Sequence, residues 1–170
     1  MTYSSLDGSL LFCGFNPLMA KPFFSQWRCY GVALLIVLVA ACFFPVLGFE
    51  FVRWDDDINV TQNPMLHEPW SWKLAVSFFD AETALRFKPV HWIFMRVLYS
   101  VGGLDPMVWH AASWALHTLA AILLFFVLSK VFRICFSAGN ATANELMAWV
   151  GAAIWAIHPL RVEPVAWITG

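Results

Sequence analysis

Three strongly apolar stretches alternate with polar segments along the chain. Cys29 to Gly48, Pro106 to Ser129 and Leu146 to Leu160 each run without Asp, Glu, Lys or Arg. A membrane-crossing helix needs roughly 20 predominantly apolar residues to cover about 30 Å of hydrocarbon. The first two stretches meet that length and predict transmembrane helices over 29–49 and 109–129. The third, 146–158, is short before Pro159. It spans a bilayer only by tilting little, by starting inside 141–145, or by crossing a locally thin region.

The long polar segment between the first two spans, 50–108, is not uniformly polar. Trp70, Leu74 and Phe78, with Ala75 and Phe79 beside them, recur at helical spacing and predict a greasy helix face along the membrane interface. A second helical piece begins at Pro89, a favoured first-turn residue, runs through Tyr99 and is stopped by Gly102-Gly103. It is too short to span and too apolar for a solvent loop. In the second span His110, Ser113 and His117 share one helical face that Ala121 continues, and such a face belongs inside a bundle.

Composition agrees with the pattern. The 170 residues are 61% hydrophobic and 17% aromatic, with 12% charged, about half the charge of an ordinary soluble domain. The fold class predicted is therefore an all-α membrane protein, a polytopic bundle of about three transmembrane helices with interfacial helices in a long first external loop. Basic residues beside the spans, Lys21, Arg28, Lys130 and Arg133, assign residues 1–28 and 130–145 to the cytoplasm. The 50–108 loop and the 159–170 segment then lie outside, and the first span reads as an uncleaved anchor. Phe23, Phe24 and Trp27 fit an aromatic belt at the surface. With a formal net charge of −1 and no basic cluster, nucleic acid is excluded as a partner. The four cysteines read as packing residues, with no disulfide or thiolate metal site.

Candidate chemistry concentrates at Trp54-Asp55-Asp56-Asp57. Aspartates beside hydrocarbon hold a cation, pair with basic residues or handle protons. In an extended segment Asp55 and Asp57 share one side and Asp56 faces the other. One acid can serve as general base for an acceptor hydroxyl, and a second can fix a divalent cation with Asn59. Pairing of the acids with Arg53 in a merely hydrated loop is the plain alternative. Lys88, His91, Arg96 and Arg161 favour a site for a phosphate-linked substrate, which needs cations near its acids. Asn59-Val60-Thr61 and Asn140-Ala141-Thr142 match the glycosylation acceptor pattern, the second on the cytoplasmic side where it has no use.

Four blocks in order carry a resemblance: Phe51 to Pro64 around the Asp triplet, Lys88-Pro89-Val90-His91-Trp92, Gly103-Leu104-Asp105-Pro106 to His110 with His117, and His158-Pro159-Leu160-Arg161-Val162-Glu163-Pro164-Val165-Ala166-Trp167. Together they resemble the amino-terminal membrane part of bacterial multi-pass glycosyltransferases with tetratricopeptide repeats, which are similar to the protein O-mannosyltransferase group of the GT-C superfamily. The resemblance implies a bacterial inner-membrane enzyme, of which this chain is an amino-terminal fragment. Such an enzyme takes a sugar from a polyprenyl-phosphate carrier among the membrane lipids and passes it to an acceptor protein or glycan outside the membrane. It maps an essential acid onto Asp55 to Asp57, with Asp56 favoured. Arg161, then Arg96, are the candidates for the leaving phosphate, with Glu163 as a salt-bridge partner of Arg161. No cofactor is implied beyond an optional divalent cation. The competing readings are a non-catalytic assembly subunit, using the His110/Ser113/His117 face as its seam, an inactive truncated remnant and, further off, a transporter piece.

Overall fold

The computed structural model describes residues 21–80, 87–137 and 139–169. The leader predicted over 1–28 therefore falls largely outside the described residues, as does Cys13. Among the described residues the secondary structure is helical throughout, without a strand. Helix α1 (Lys21–Phe43) continues into a 3-10 turn at Phe44–Gly48, where Pro45 cannot extend the α-helical ladder. Short helices α2 (Pro64–His67) and α3 (Trp72–Ser77) follow, then α4 (Pro89–Gly102), the long α5 (Pro106–Cys135) and α6 (Ala141–Ala156). A 3-10 turn at Pro159–Arg161 leads into α7 (Val162–Ala166).

Side-chain caps mark most of these starts. The Asn63 side chain accepts from the Met65 amide, Ser71 from Leu74, Asp105 from Met107 and Asn140 from Thr142. Each satisfies an amide that a helix start leaves without an intrahelical acceptor. Asn140 is thus occupied as a helix cap. At the turn from α4 to α5 the structure needs two glycines for different reasons. Gly103 takes φ +55, and a Cβ on Gly102 would sit 2.6 Å from Val108.

Among the described residues two stretches are long and apolar enough to cross a bilayer, Gln26–Gly48 and Pro106–Cys135. Only 22% of each apolar window is buried, whereas the core helix of a soluble domain is mostly covered. The chain reads as a membrane protein on that ground. Helix α5 exceeds the predicted 109–129 at both ends and consumes part of the expected 130–145 cytoplasmic loop. α6 begins at Ala141 and takes half of the rest, leaving a tight turn whose Phe136 carbonyl accepts from Asn144 Nδ2. With 16 residues, α6 is about 24 Å long, short of the hydrocarbon thickness, so a third span is not established.

The core falls into three clusters. Leu35, Phe125, Ala148 and Ala152 pack α1, α5 and α6 together at one end. Val39, Phe43, Val46, Ala121, Ala156 and Val165 continue that seam towards α7. Ala148, Ala152 and Ala156 repeat every fourth residue, so one face of α6 is a row of methyl groups and lets α5 come close. Val60, Leu66, Phe78, Trp92, Met95 and Trp109 form a separate core beneath the 50–108 segment. The greasy face predicted over residues 70–79 is split. Phe78 enters that core with Leu74 packed against it and Ala75 is buried, while Trp70 and Phe79 remain exposed. Cys29, Cys42 and Cys135 are free and exposed, which corrects their reading as packing residues; they lie on the outer helix surfaces.

Candidate functional site

The Asp triplet is helical, not extended. Asp55 and Asp56 lead into a single π turn at Asp57–Thr61, so successive side chains rotate by about 100° around an axis. Asp55 and Asp57 therefore point nearly opposite ways, and the shared side expected for them does not exist. The turn is closed by the Gln62 amide donating to the Asp57 carbonyl at 2.8 Å and by Thr61 Oγ1 donating to Asp57 Oδ1 at 3.2 Å. Asn63 Nδ2 donates back to the Asn59 carbonyl, and Val60 drops into the core.

Each acid has a different environment. Asp56 is 1% exposed. Its Oδ2 accepts from the Val52 amide at 2.9 Å and its Oδ1 from Thr169 Oγ1 at 2.8 Å. Those bonds, with the Trp54 and Trp167 rings 6.1 Å apart, dock the acidic loop onto the segment after α7. Asp57 is half-buried and engaged with Thr61. The Asp55 carboxylate is half-buried and makes no hydrogen bond or ion pair. Arg53 is exposed and pairs with none of the three, so the plain alternative of Arg53 ion pairs is not what holds the loop.

The predicted cations sit in different surroundings: Lys88, His91 and Arg96 belong to α4 and its cap, and Arg161 to the turn before α7. Arg96 lies inside the core of the 50–108 segment, 6% exposed. Its Nη2 donates to the Glu68 carbonyl at 2.8 Å, and its guanidinium lies 5.9 Å from the Trp70 ring centre and 5.6 Å from that of Tyr99. Nε and Nη1 are buried without partners. Lys88 is exposed at the start of α4. His91, one turn on, is half-buried, and burial first and the Lys88 charge second hold its imidazole below the ordinary value of 6.5. Arg161 stacks 4.9 Å from the centre of the Trp155 ring, within electrostatic reach of His117. Glu163 is exposed in the first turn of α7 and forms no ion pair with Arg161. None of Lys88, Arg96 or Arg161 forms an ion pair with the triplet. Among the described residues no three His, Cys, Asp or Glu side chains converge as metal ligands.

The histidine face of α5 points into the bundle. His117 Nε2 meets the Ala156 carbonyl at 2.8 Å, and its ring stacks on Trp155 and meets Phe43 edge-on. His110 is 1% exposed and edge-on to Phe49. Because α1 and α6 cover His117 and the segment at Phe49 covers His110, these two histidines are not a seam left open for another subunit. A feature that spacing alone missed lies at the far end. Arg28 Nη2 donates to Glu145 Oε1 at 2.6 Å and Ser129 Oγ to Glu145 Oε2 at 3.0 Å. An acid at the lip of an apolar stretch, with a basic residue at the same end of another, was the available signal. An apolar cavity of about 350 Å³ lies beside that pair, between Tyr30, Leu34 and Trp149. A second, of about 260 Å³, is lined by Glu68, Ser71 and Lys73. Neither contains the Asp triplet.

An acidic loop clamped beside two long apolar helices belongs to a membrane protein, and known sequences agree with that class. The chain is 28% identical over 149 residues to protein O-mannosyl-transferase TMTC1 of Mus musculus, covering 82% of this chain and 15% of that protein. It is 26% identical to the Homo sapiens TMTC1 over 149 residues, with 82% and 16% covered, and 23% identical to the Mus musculus TMTC3 over 146 residues, with 82% and 15% covered. The chain thus spans about 15% of the length of the curated relatives it matches. No protein-family model and no solved structure matches it. The O-mannosyltransferase-like relationship expected from the four blocks stands at that level.

Proposed function

We propose that this chain contributes the acid-bearing part of a multi-pass membrane glycosyltransferase, which moves a sugar from a polyprenyl-phosphate carrier to an acceptor hydroxyl on the non-cytoplasmic face. The observation that carries the reading is the clamped Asp triplet, read together with the O-mannosyl-transferase relatives. Its geometry divides the work. Asp56 spends both oxygens on the backbone and Thr169, and no acceptor reaches a group so deeply covered. Asp55, held on the same turn with its carboxylate unengaged, is the acid placed to meet an acceptor.

In the proposed step Asp55 takes the proton of the acceptor hydroxyl as its oxygen bonds to the anomeric carbon. The bond from that carbon to the phosphate oxygen breaks, and the lipid phosphate leaves with the electron pair. A cation near that phosphate offsets the charge it gains. Arg161 suits the role better than Arg96, because Arg96 is covered by Trp70 and tied to the Glu68 backbone. Lys88 and His91 on the outer end of α4 are further contacts for a phosphate or an acceptor. The relatives' name points to mannose as the sugar.

The test uses the full chain in native membranes, with polyprenyl-phosphate mannose as donor and a Ser/Thr peptide as acceptor. Asp55→Asn should cut transfer by about 10²-fold or more, the range of a lost general base, with insertion unchanged. Normal transfer by Asp55→Asn would remove the catalytic reading.

A further inference from the structure

We propose that the cavity beside Glu145 is a binding site for an anionic membrane phospholipid, which lays an acyl chain in the cavity and sets its phosphate against Arg133. The site lies at the opposite end of the bundle from the acidic loop, and its test is independent of the sugar-transfer reading.

The cavity follows from the way α1 meets α6. A Cβ on Gly31 would lie 3.3 Å from Trp149 Cδ1 and 3.5 Å from Phe125 Cζ, so a glycine there lets the helices come close. Trp149 Nε1 fastens the contact by donating to the Gly31 carbonyl at 3.0 Å. Beside it Tyr30, Leu34 and Leu146 are each more than half exposed, and about 350 Å³ is left between them and Trp149. Sites that hold small ligands begin at roughly 300 Å³. The opening lies on the outer surface of Gln26–Gly48, a stretch apolar enough to cross a bilayer, so hydrocarbon is the medium that meets it. Water finds too few polar partners along such walls to stay.

Charge decides the occupant. Glu145 is the one acid in α1, α5 and α6, and both of its oxygens are used, by Arg28 and by Ser129. Arg133 Nε donates to the Ser129 carbonyl at 3.2 Å. Glu145 also lines the cavity, so two hydrogen bonds connect the cavity wall to the Arg133 side chain. That side chain is exposed and forms no ion pair among the described residues, and neither does the exposed Lys130. A further apolar helix or a second copy of the chain would fill the cavity and leave both cations without a counter-ion. An anionic lipid brings the hydrocarbon and the phosphate together, and a guanidinium matches phosphate geometry.

The experiment reconstitutes the full chain in phosphatidylcholine nanodiscs with a trace of phosphatidylglycerol that carries a photoactivatable diazirine on one acyl chain. After illumination, peptide mapping compares labelling at Tyr30 to Leu34 and Leu146 to Trp149 with labelling at Leu116 to Leu123, whose exposed leucines lie outside the cavity. Label should concentrate several-fold on the first two segments. The same diazirine chain carried on phosphatidylcholine should label them about fivefold less, the advantage that one arginine gives an anionic headgroup at a membrane surface. Leu146→Trp and Leu34→Trp add bulk at exposed wall positions and should each remove the excess. Arg133→Gln should bring phosphatidylglycerol labelling down to the phosphatidylcholine level.

Uniform labelling of the three segments overturns the proposal, whether bulk lipid, a further helix or a second copy meets that face. Equal labelling by the two lipids in the wild type overturns the anionic headgroup. An undiminished preference for phosphatidylglycerol in Arg133→Gln overturns the phosphate contact.

Discussion

The two ends of this helical bundle hold a carboxylate in nearly the same way, and one difference separates them. Glu145 takes a serine hydroxyl on one oxygen and the Arg28 guanidinium on the other. Asp56 takes a threonine hydroxyl on one oxygen and a neutral backbone amide on the other. The first arrangement cancels its charge and ties α1, α5 and α6 together. The second keeps a negative charge in the structure beside another carboxylate that is wholly unengaged. A protein built only for stability has no use for that second arrangement, since uncompensated buried charge is costly. The difference marks the Glu145 end as scaffold and supports the proposal that chemistry lies at the Asp56 end.

Breaking the scaffold end should give the largest stability effect. Glu145→Ala removes the carboxylate that Arg28 and Ser129 hold in a site where Glu145 is 11% and Arg28 27% exposed, and should cost about 2–4 kcal/mol. Thermal unfolding in detergent measures it. Replacing Arg28 and Glu145 together by leucine should recover most of the loss, and a double variant as unstable as the single one would contradict the scaffold assignment.

At the other end Asp56→Ala strands the Val52 amide and should cost about 1–3 kcal/mol, read as faster proteolysis between Arg53 and Lys73 with the Arg28 end intact. A uniform loss across both ends would erase the distinction between them. Asp55→Asn sharpens it from the opposite side, because the substitution removes no bond and should leave stability unchanged while transfer collapses.

The smallest effect is one of pH. The folded-state value of His91 lies below the ordinary 6.5, so below that pH the unfolded chain binds more protons than the folded one. The stability this group contributes is present above about 6.5 and lost as pH falls towards its folded value. Acidification from pH 7.5 to 5.5 should loosen the α4 side, and His91→Gln should remove that part of the loss. Hydrogen exchange in α4 against α6 is the measurement.

Much of the architecture was legible because it follows from length and periodicity. The two long apolar helices, the Pro89 start and Gly102-Gly103 stop of α4, and the inward face of His110 and His117 are all local consequences of side-chain spacing. The form of the acidic loop was not, because three consecutive aspartates have no strong helical preference of their own. Their turn is fixed by Val60 entering a core and by Thr169 reaching Asp56, neither visible in a short window. The same limit applies to Arg96, whose burial depends on Trp70 and Tyr99 arriving from two different segments. Charge spacing suggested a phosphate contact there, and tertiary packing gave the guanidinium an aromatic enclosure.

Asp56 and Thr169 stand 113 positions apart in the chain, and that separation sets an order of events at birth. The acidic loop leaves the ribosome long before its clasp does. Until α5, α6 and the segment after α7 have been inserted, Asp56 has only the Val52 amide to hold, and the turn bearing Asp55 has no fixed bearing. A nascent chain of this protein therefore carries its acids unassembled until the residues around Thr169 have been made and reach Asp56.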